Sequence, residues 1–263
     1  MDHQLKGKIA LITGSSSGIG WGIAQSLAAQ GCDVIIHGVE ALGLLENKAK
    51  ELTEKFQIKA WPYRADLSHA DEIETFFAEL EMKKILPDIL VNNAGVQHVA
   101  PIEEFALAKW QLLLSLHLTA PFLLTQKLLP AMKHKKWGRI INIASVHGLV
   151  ASVQKSAYVA AKHGLIGLTK TTALETAKSG VTCNAICPGW VKTPLVEAQI
   201  GEKARQQGLS FEQATEKLLG EKQPSEKFIE VSQLGDLVVF LSSESASGMT
   251  GSALTMDGGW TAQ

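Results

Sequence analysis

N-I-A-S-V-H-G-L-V-A-S-V-Q-K-S-A-Y-V-A-A-K, from Asn142 to Lys162, is the stretch around which this sequence is organised. The β-branched apolar run at residues 140–143 predicts a buried parallel strand. Ser145 follows at the carboxyl end of that strand, and Tyr158 lies in an Ala-rich helical pattern. Since Tyr158 and Lys162 are four residues apart, a helix places them on one face, one turn from each other.

These three side chains suit proton transfer to or from an alcohol oxygen near neutral pH. An ammonium beside a phenol favours the phenolate, so we expect Lys162 to lower the pKa of Tyr158 from about 10. The hydroxyl of Ser145 could bind the oxygen that gains or loses the proton. Tyr-x-x-x-Lys alone occurs by chance in many helices, so the prediction depends on the rest of the chain.

The amino-terminal segment predicts a nucleotide-binding β-α-β unit. A strand over Lys8–Thr13 leads into a glycine-rich turn, T-G-S-S-S-G-I-G, and then a helix that Gly31 ends as a C-cap. A second strand follows over Asp33–His37. The glycines permit close approach of a pyrophosphate to backbone N–H groups at the helix amino terminus. The alternative is a glycine-rich turn that binds no ligand.

Together with Asn92-Asn93-Ala94-Gly95 and Pro188-Gly189, these motifs resemble the short-chain dehydrogenase/reductase family in order and spacing. The resemblance implies an α/β fold: a single-domain, Rossmann-type, doubly wound parallel sheet of about seven strands with helices on both faces. The domain would cover residues 1–263, with a mobile substrate lid at about 193–223. The resemblance also implies a homotetramer in which helices near 108–133 and 156–178 pack between subunits.

The resemblance assigns catalysis to Ser145, Tyr158 and Lys162. At His117 the sequence departs from the family, because most members carry an asparagine there that holds a water linking the lysine to solvent. Histidine can donate and accept hydrogen bonds, so it could continue this relay, and we include it among the catalytic residues. It could also disturb the relay, or be a structural histidine without a catalytic part.

The family's cofactor site implies a larger set of residues. They are Thr13, Gly14, Ser17, Gly18, Ile19, Gly20, Val39, Asp66, Leu67, Asn93, Ala94, Gly95, Tyr158, Lys162, Pro188, Gly189, Val191 and Thr193. Asp66 would hold the adenine, although it could instead, or also, cap the helix that begins near Ser68.

The end of the second strand discriminates between the two nicotinamide cofactors. It reads His37-Gly38-Val39-Glu40, without an Arg or Lys that could bind the 2′-phosphate of NADP. We therefore expect NAD. Glu40 is a poor substitute for the usual aspartate, and His37 could partly support a phosphate.

Residues around the catalytic stretch resemble family members that oxidise D-3-hydroxybutyrate to acetoacetate. The predicted substrate residues are Gln97, Ser145, His147, Lys155, Tyr158, Trp190, Gln199 and Trp260. Cationic and amide side chains would bind the carboxylate of a small 3-hydroxy or 3-oxo acid, while the two tryptophans would enclose its alkyl end. The alternatives are a 3-oxoacyl thioester, another secondary alcohol, or a non-catalytic dinucleotide-binding protein.

The composition is that of an ordinary globular enzyme. Of 263 residues, 46% are hydrophobic and the formal net charge is −1, which gives no reason to expect nucleic acid or an anionic membrane as partner. We see no signal peptide in the first seven residues and no apolar run near the roughly 20 residues of a membrane span. The cysteines lack metal-ligand spacing, so we expect free thiols, no metal and a cytoplasmic location.

Overall fold

The computed structural model describes residues 5–262, apart from the side chain of Leu195. Seven strands form one parallel sheet, which confirms the fold that the family resemblance implies. The strand order is β3-β2-β1-β4-β5-β6-β7. The strands are β1 (Ile9–Ile12), β2 (Asp33–Gly38), β3 (Ala60–Arg64), β4 (Ile89–Asn92), β5 (Gly138–Ile143), β6 (Val181–Pro188) and β7 (Ala253–Met256). The expectation that the first seven residues contain no signal peptide concerns residues 1–4 in part, and these lie outside the described residues.

Helices cover both faces of this sheet. They are α1 (Gly18–Ala29), α2 (Leu42–Phe56), α3 (Ala70–Met82), α4 (Leu107–Leu114), α5 (Ala120–Lys135), α6 (Ser156–Thr176), α7 (Pro194–Gln207), α8 (Phe211–Gly220) and α9 (Val231–Ser242). One core joins α1, α2 and α9 to the sheet, and a second joins α3, α5 and α6 to the opposite face. Because both faces are covered, the central strands are almost continuously apolar.

Glycines end two of the helices. Gly31 has φ +77° directly after α1, as predicted, and Gly208 has φ +65° after α7. Gly201, by contrast, does not break the helical segment that the sequence suggests, because it lies inside α7. A helical interior tolerates an isolated glycine at a cost of about 1 kcal/mol relative to alanine.

A continuous helical segment, Leu107–Lys135, contradicts the expectation that no apolar segment approaches the length of a membrane span. It has 29 residues and a mean hydropathy of 1.4 over its most apolar window, of which 39% is buried in the protein. Its inner face packs against the sheet through Leu124, Leu128 and Met132, which explains its apolarity without a membrane. Between α4 and α5, Ser115–Thr119 form a π-helical turn that the sequence did not predict.

The sheet order reverses between β1 and β4, where the chain leaves β1 towards opposite edges of the sheet. Crevices for ligands form at the carboxyl ends of parallel strands at such a switch point. The glycine-rich loop follows β1, and Asn93–Gly95 follow β4, so both motifs meet at this crevice.

Candidate active site

One cavity of about 590 Å³ extends from the glycine-rich loop to the carboxyl-terminal Trp260. Every predicted site residue lines it except Thr13 and Gly20. Thr13 and Gly20 lie behind the residues that line the cavity. The hydroxyl oxygen of Thr13 accepts hydrogen bonds from the backbone N–H groups of Asn93 and Ala94, both at 2.9 Å. A Cβ on Gly20 would lie 2.2 Å from the carbonyl oxygen of Gly14, so only glycine lets α1 pack this closely.

The catalytic stretch comes together at the end of β5. Ser145 follows β5, while Tyr158 and Lys162 lie on α6, which packs over the same strand end. The Lys162 ammonium donates a 2.7 Å hydrogen bond to the carbonyl oxygen of Ile143 and lies 5.5 Å from the centre of the Tyr158 ring. Gly148 permits this packing, because a Cβ there would lie 2.9 Å from the carbonyl oxygen of Lys162.

The pKa of Tyr158 differs from our expectation. Burial raises the pKa of the phenol above 10, and a hydrogen bond with Ser145 offsets part of that rise. Burial also lowers the pKa of Lys162 to about 7, so this ammonium carries only part of its charge at neutral pH. The predicted lowering of the Tyr158 pKa by Lys162 is therefore wrong for the protein without a ligand.

His117 lies at the centre of the π-helical turn and is buried against the catalytic tyrosine. Its ring stands edge-on to Tyr158, and its Nε2 lies 2.8 Å from the carbonyl oxygen of Val96. The backbone N–H of Val96 also approaches Nε2, at 3.3 Å, but the shorter contact with the carbonyl oxygen favours Nε2–H. Nδ1 is then an acceptor; it is buried and has no hydrogen-bond partner in the described chain. Burial, and secondarily Lys162, lowers the pKa of His117 to about 3, so the ring is neutral. Its part in a proton relay stays a prediction.

Hydrogen bonds and ring contacts fix the imidazole of His147. Its Nε2 lies 2.9 Å from the hydroxyl of Ser152, and its Nδ1 lies 3.4 Å from the hydroxyl of Ser145. Its ring packs edge-on against Tyr158 and Trp260. Burial, followed by repulsion from Lys155, lowers the pKa of His147 to about 4. This neutral imidazole thus borders both the reacting groups and the predicted substrate side of the cavity.

His37 stabilises the glycine-rich loop. Its Nδ1 accepts a 3.2 Å hydrogen bond from the backbone N–H of Gly14, and its Nε2–H donates to the carbonyl oxygen of Ala65 at 3.1 Å. Burial lowers its pKa to about 4, so the ring is uncharged. With both nitrogens engaged, His37 is not available to a 2′-phosphate, and our expectation of partial support is wrong.

Glu40 is better placed than the sequence suggested. The hydroxyl of Ser16 donates a 2.6 Å hydrogen bond to Oε1 of Glu40, which fixes the carboxylate at the wall of the cavity. Its Oε2 is buried without a hydrogen-bond partner in the described residues. A buried carboxylate oxygen without a partner is unfavourable, and a ligand hydroxyl at this point would satisfy it. Glu40 and Ser16 are functional candidates that our residue set did not contain.

Asp66 combines parts of both expected roles. Its Oδ1 accepts hydrogen bonds from the N–H and the hydroxyl of Ser68, so it shapes the turn before α3. The N-cap of α3 is His69, so Asp66 does not cap the helix itself. Hydrogen bonds from Ser68 lower the pKa of Asp66, and the residue lines the cavity beside Leu67. Its contact with adenine stays a prediction.

The predicted substrate residues surround the other end of the cavity. Lys155 lies with its ammonium 5.5 Å from the centre of the Trp190 ring, and the Trp190 and Trp260 rings are 5.9 Å apart. Lys155 is half-buried, and this burial lowers the pKa of its ammonium. Gln97 and the exposed Gln199 also border this end.

Two buried polar residues outside our residue set hold the loops after β6 and β7. After β6, the side-chain oxygen of Gln223 accepts a 2.8 Å hydrogen bond from the backbone N–H of Trp190. After β7, Asp257 accepts hydrogen bonds from the backbone N–H groups of Gly259 and Thr261, which fixes the turn that carries Trp260. The Gln223 contact joins residues far apart in the chain and has no local sequence signal. Within residues 5–262, no group of three or more His, Cys, Asp or Glu side chains could hold a metal ion.

Comparisons with known proteins agree with this geometry. A family model described as enoyl-(acyl carrier protein) reductase matches residues 14–261. The chain belongs to the short-chain dehydrogenase/reductase family. Members of this family bind a nicotinamide dinucleotide, and this short-chain dehydrogenase has the glycine-rich cradle and the unpartnered Glu40 oxygen that such a ligand would use.

Similar proteins cover almost the whole of this short-chain dehydrogenase. D-beta-hydroxybutyrate dehydrogenase of Cupriavidus necator is 53% identical over 261 residues, which are 99% of this chain and 100% of the relative. The D-beta-hydroxybutyrate dehydrogenase of Rhizobium meliloti is 47% identical over 97% of this chain and 99% of its own. Among solved structures, L-sorbose reductase of Gluconobacter frateurii in complex with NADPH and L-sorbose has a TM-score of 0.95, 32% identity and full coverage of both chains.

Proposed function

We propose that this enzyme catalyses the reversible oxidation of D-3-hydroxybutyrate to acetoacetate, with NAD as the hydride acceptor. The observation that carries the proposal is Lys155. Its ammonium is half-buried in the cavity that holds Tyr158, and no carboxylate of residues 5–262 forms an ion pair with it. An unpaired cation in a partly dry cavity favours an anionic ligand. The names of the two similar dehydrogenases support a short hydroxy acid.

The substrate carboxylate is proposed to contact Lys155, with amide donors from Gln97 and Gln199. Trp190 and Trp260 enclose the short alkyl chain and exclude water from the reacting carbon. A thioester has no free carboxylate and would leave the Lys155 ammonium unpaired. This is the reason that we prefer the free acid to a 3-oxoacyl thioester or a neutral secondary alcohol.

The protein's own groups carry the proton. Tyr158 accepts the hydroxyl proton of the substrate, and Ser145 binds the substrate oxygen as its charge changes. When bound, the nicotinamide supplies the hydride acceptor and a positive charge that favours the phenolate. That charge offsets the burial that raises the pKa of Tyr158 in the unliganded protein. His117 and Lys162 are proposed to connect the phenol to the proton pool.

Glu40 supports NAD as the cofactor. Its fixed carboxylate can accept a hydrogen bond from a ribose hydroxyl through the free Oε2, whereas it would repel a 2′-phosphate. His37 cannot assist such a phosphate because both of its ring nitrogens have protein partners.

We further propose that α7 and α8 form the mobile lid and that four chains assemble into a homotetramer in the cytoplasm. The two helices share a small core of their own, built on Ile200, Ala204 and Ala214, which suits movement as one unit. Exposed apolar side chains on the faces expected between subunits, including Phe122 and Leu174, support the assembly.

The test is an assay of NAD reduction with the separate D and L enantiomers of 3-hydroxybutyrate, repeated with NADP. Fast turnover of the D form with NAD is the expected result. Turnover of a thioester or neutral alcohol, without turnover of either 3-hydroxybutyrate, would keep the catalytic residues and reject the substrate. Cofactor binding without turnover of any alcohol would favour a non-catalytic dinucleotide-binding protein.

A further inference from the structure

We propose that Ser152 is a positioning residue that fixes the tautomer of His147, so that a neutral imidazole directs an N–H, and not a lone pair, towards Ser145. The effect on turnover rests on the proposed function, whereas the tautomer itself does not. Ser152 follows the short 3-10 helix Val146–Gly148 and precedes α6. Its hydroxyl oxygen lies 2.9 Å from Nε2 of His147, on the side of the ring opposite to Ser145.

Two arrangements of protons satisfy these distances. In the first, the Ser152 hydroxyl donates to Nε2, and the ring proton resides on Nδ1, which faces Ser145. In the second, Nε2–H donates to Ser152, and the bare Nδ1 accepts the hydroxyl proton of Ser145. A neutral imidazole has one donor and one acceptor nitrogen, so the two arrangements exclude each other.

The first arrangement is the one that suits catalysis, and the reason begins with the backbone of His147. Its N–H already donates a 3.1 Å hydrogen bond to the hydroxyl oxygen of Ser145. If Nδ1–H donates to the same oxygen, both lone pairs of Ser145 are occupied by His147, and the Ser145 proton is left to point at the substrate oxygen. In the second arrangement that proton is held by Nδ1, and Ser145 offers no donor to the reacting oxygen.

The surroundings of His147 keep this arrangement in place. The ring is buried and packs edge-on against Tyr158 and Trp260, with centroids 5.9 and 5.5 Å apart, so it is not free to turn over. Ser152 thus sets, from outside the reacting groups, whether the Ser145 hydroxyl is free to donate its hydrogen bond to the substrate oxygen.

The first test reads the tautomer directly and does not need turnover. Nitrogen NMR of the full-length enzyme with labelled histidine distinguishes a protonated from a bare ring nitrogen, and His147→Gln identifies the signals of His147. We expect Nδ1 protonated in the unmodified enzyme and the proton shifted towards Nε2 in Ser152→Ala. A protonated Nε2 with a bare Nδ1 in the unmodified enzyme would overturn the proposal.

The second test is a double-mutant cycle in turnover. Ser152→Ala should lower kcat by about tenfold, the worth of one hydrogen bond, with the KM for the cofactor unchanged. Ser152→Thr, which keeps the hydroxyl, should restore most of the rate. In the His147→Gln background the Ser152→Ala change should have little further effect. An equal loss in both backgrounds would show that Ser152 acts without His147. Absence of turnover with 3-hydroxybutyrate would count against the proposed substrate and leave the NMR test intact.

Discussion

The imidazole of His117 stands edge-on to the phenol of Tyr158, with ring centroids 5.1 Å apart and planes at 86°. Gly95 makes room for it, since a Cβ at that position would lie 2.2 Å from Cε1 of His117. His117 thus fits the space that Gly95 leaves, and its ring packs against one side of the Tyr158 ring.

Gly95→Ala should disturb the catalytic ring through His117. We expect kcat to fall by about ten- to a hundredfold, because a small displacement of a reacting group has an effect of that size. Gly95→Ala combined with His117→Asn should lose much less relative to His117→Asn alone, since the shorter side chain removes the clash. Steady-state kinetics of the four proteins measure this coupling, and identical losses in both backgrounds would contradict it.

Tyr158→Phe removes the hydroxyl that exchanges the substrate proton. Turnover should fall by about a hundred- to ten-thousandfold, while NADH binding, followed by its fluorescence, should remain near that of the unmodified enzyme. Substantial retained turnover would reject Tyr158 as the acid and base. Loss of NADH binding would instead indicate a role in holding the cofactor.

Lys155→Ala should chiefly raise the KM for 3-hydroxybutyrate, by about ten- to a hundredfold, because it removes a hydrogen bond to a charged group. Oxidation of a neutral secondary alcohol, if measurable, should change little. Lys170→Ala, at an exposed lysine on α6, the helix that follows Lys155, is the matched control. An unchanged KM in Lys155→Ala would remove this residue from the carboxylate site.

Glu40→Gln keeps the shape of the side chain and removes its charge. With NADP, kcat/KM should rise by about tenfold, since a carboxylate no longer faces the 2′-phosphate, whereas kcat/KM with NAD should fall. Glu46→Gln makes the same change of charge at an exposed position on α2 and should leave the preference unaltered. A constant ratio between the cofactors in Glu40→Gln would show that the selectivity resides elsewhere.

His37 makes stability depend on pH. Its pKa is about 4 in the folded protein because of burial, against about 6.5 in an unfolded chain. Between these values the unfolded state binds more protons than the folded state, so stability falls as the pH is lowered from 6.5 to 4. His117 and His147 act in the same direction.

His37→Asn removes this group and keeps a side chain that can donate and accept hydrogen bonds. Urea unfolding at several pH values should then show a weaker loss of stability between pH 6.5 and 4. Replacement of the exposed His163 by asparagine should leave that pH dependence unchanged and serves as the control. A slope in His37→Asn equal to that of the unmodified protein would contradict the assignment.

The sequence by itself determined the opening β-α-β unit and the position of the catalytic stretch. The β-branched residues Ile140, Ile141 and Ile143 favour a buried strand, and Tyr158 and Lys162 share a face by helical spacing alone. The glycine-rich turn likewise has a local signature, because Gly14 and Gly18 have positive φ values that other residues rarely adopt.

Only the tertiary structure decided which polar groups meet. The contact of Ser16 with Glu40 joins residues 24 apart, and the ring of His37 lies between Gly14 and Ala65. The direction of the Tyr158 pKa shift also followed from burial in the folded protein, which outweighed the hydrogen bond with Ser145. Desolvation and long-range hydrogen bonds depend on what surrounds a residue in space, and residue spacing along the chain does not encode them.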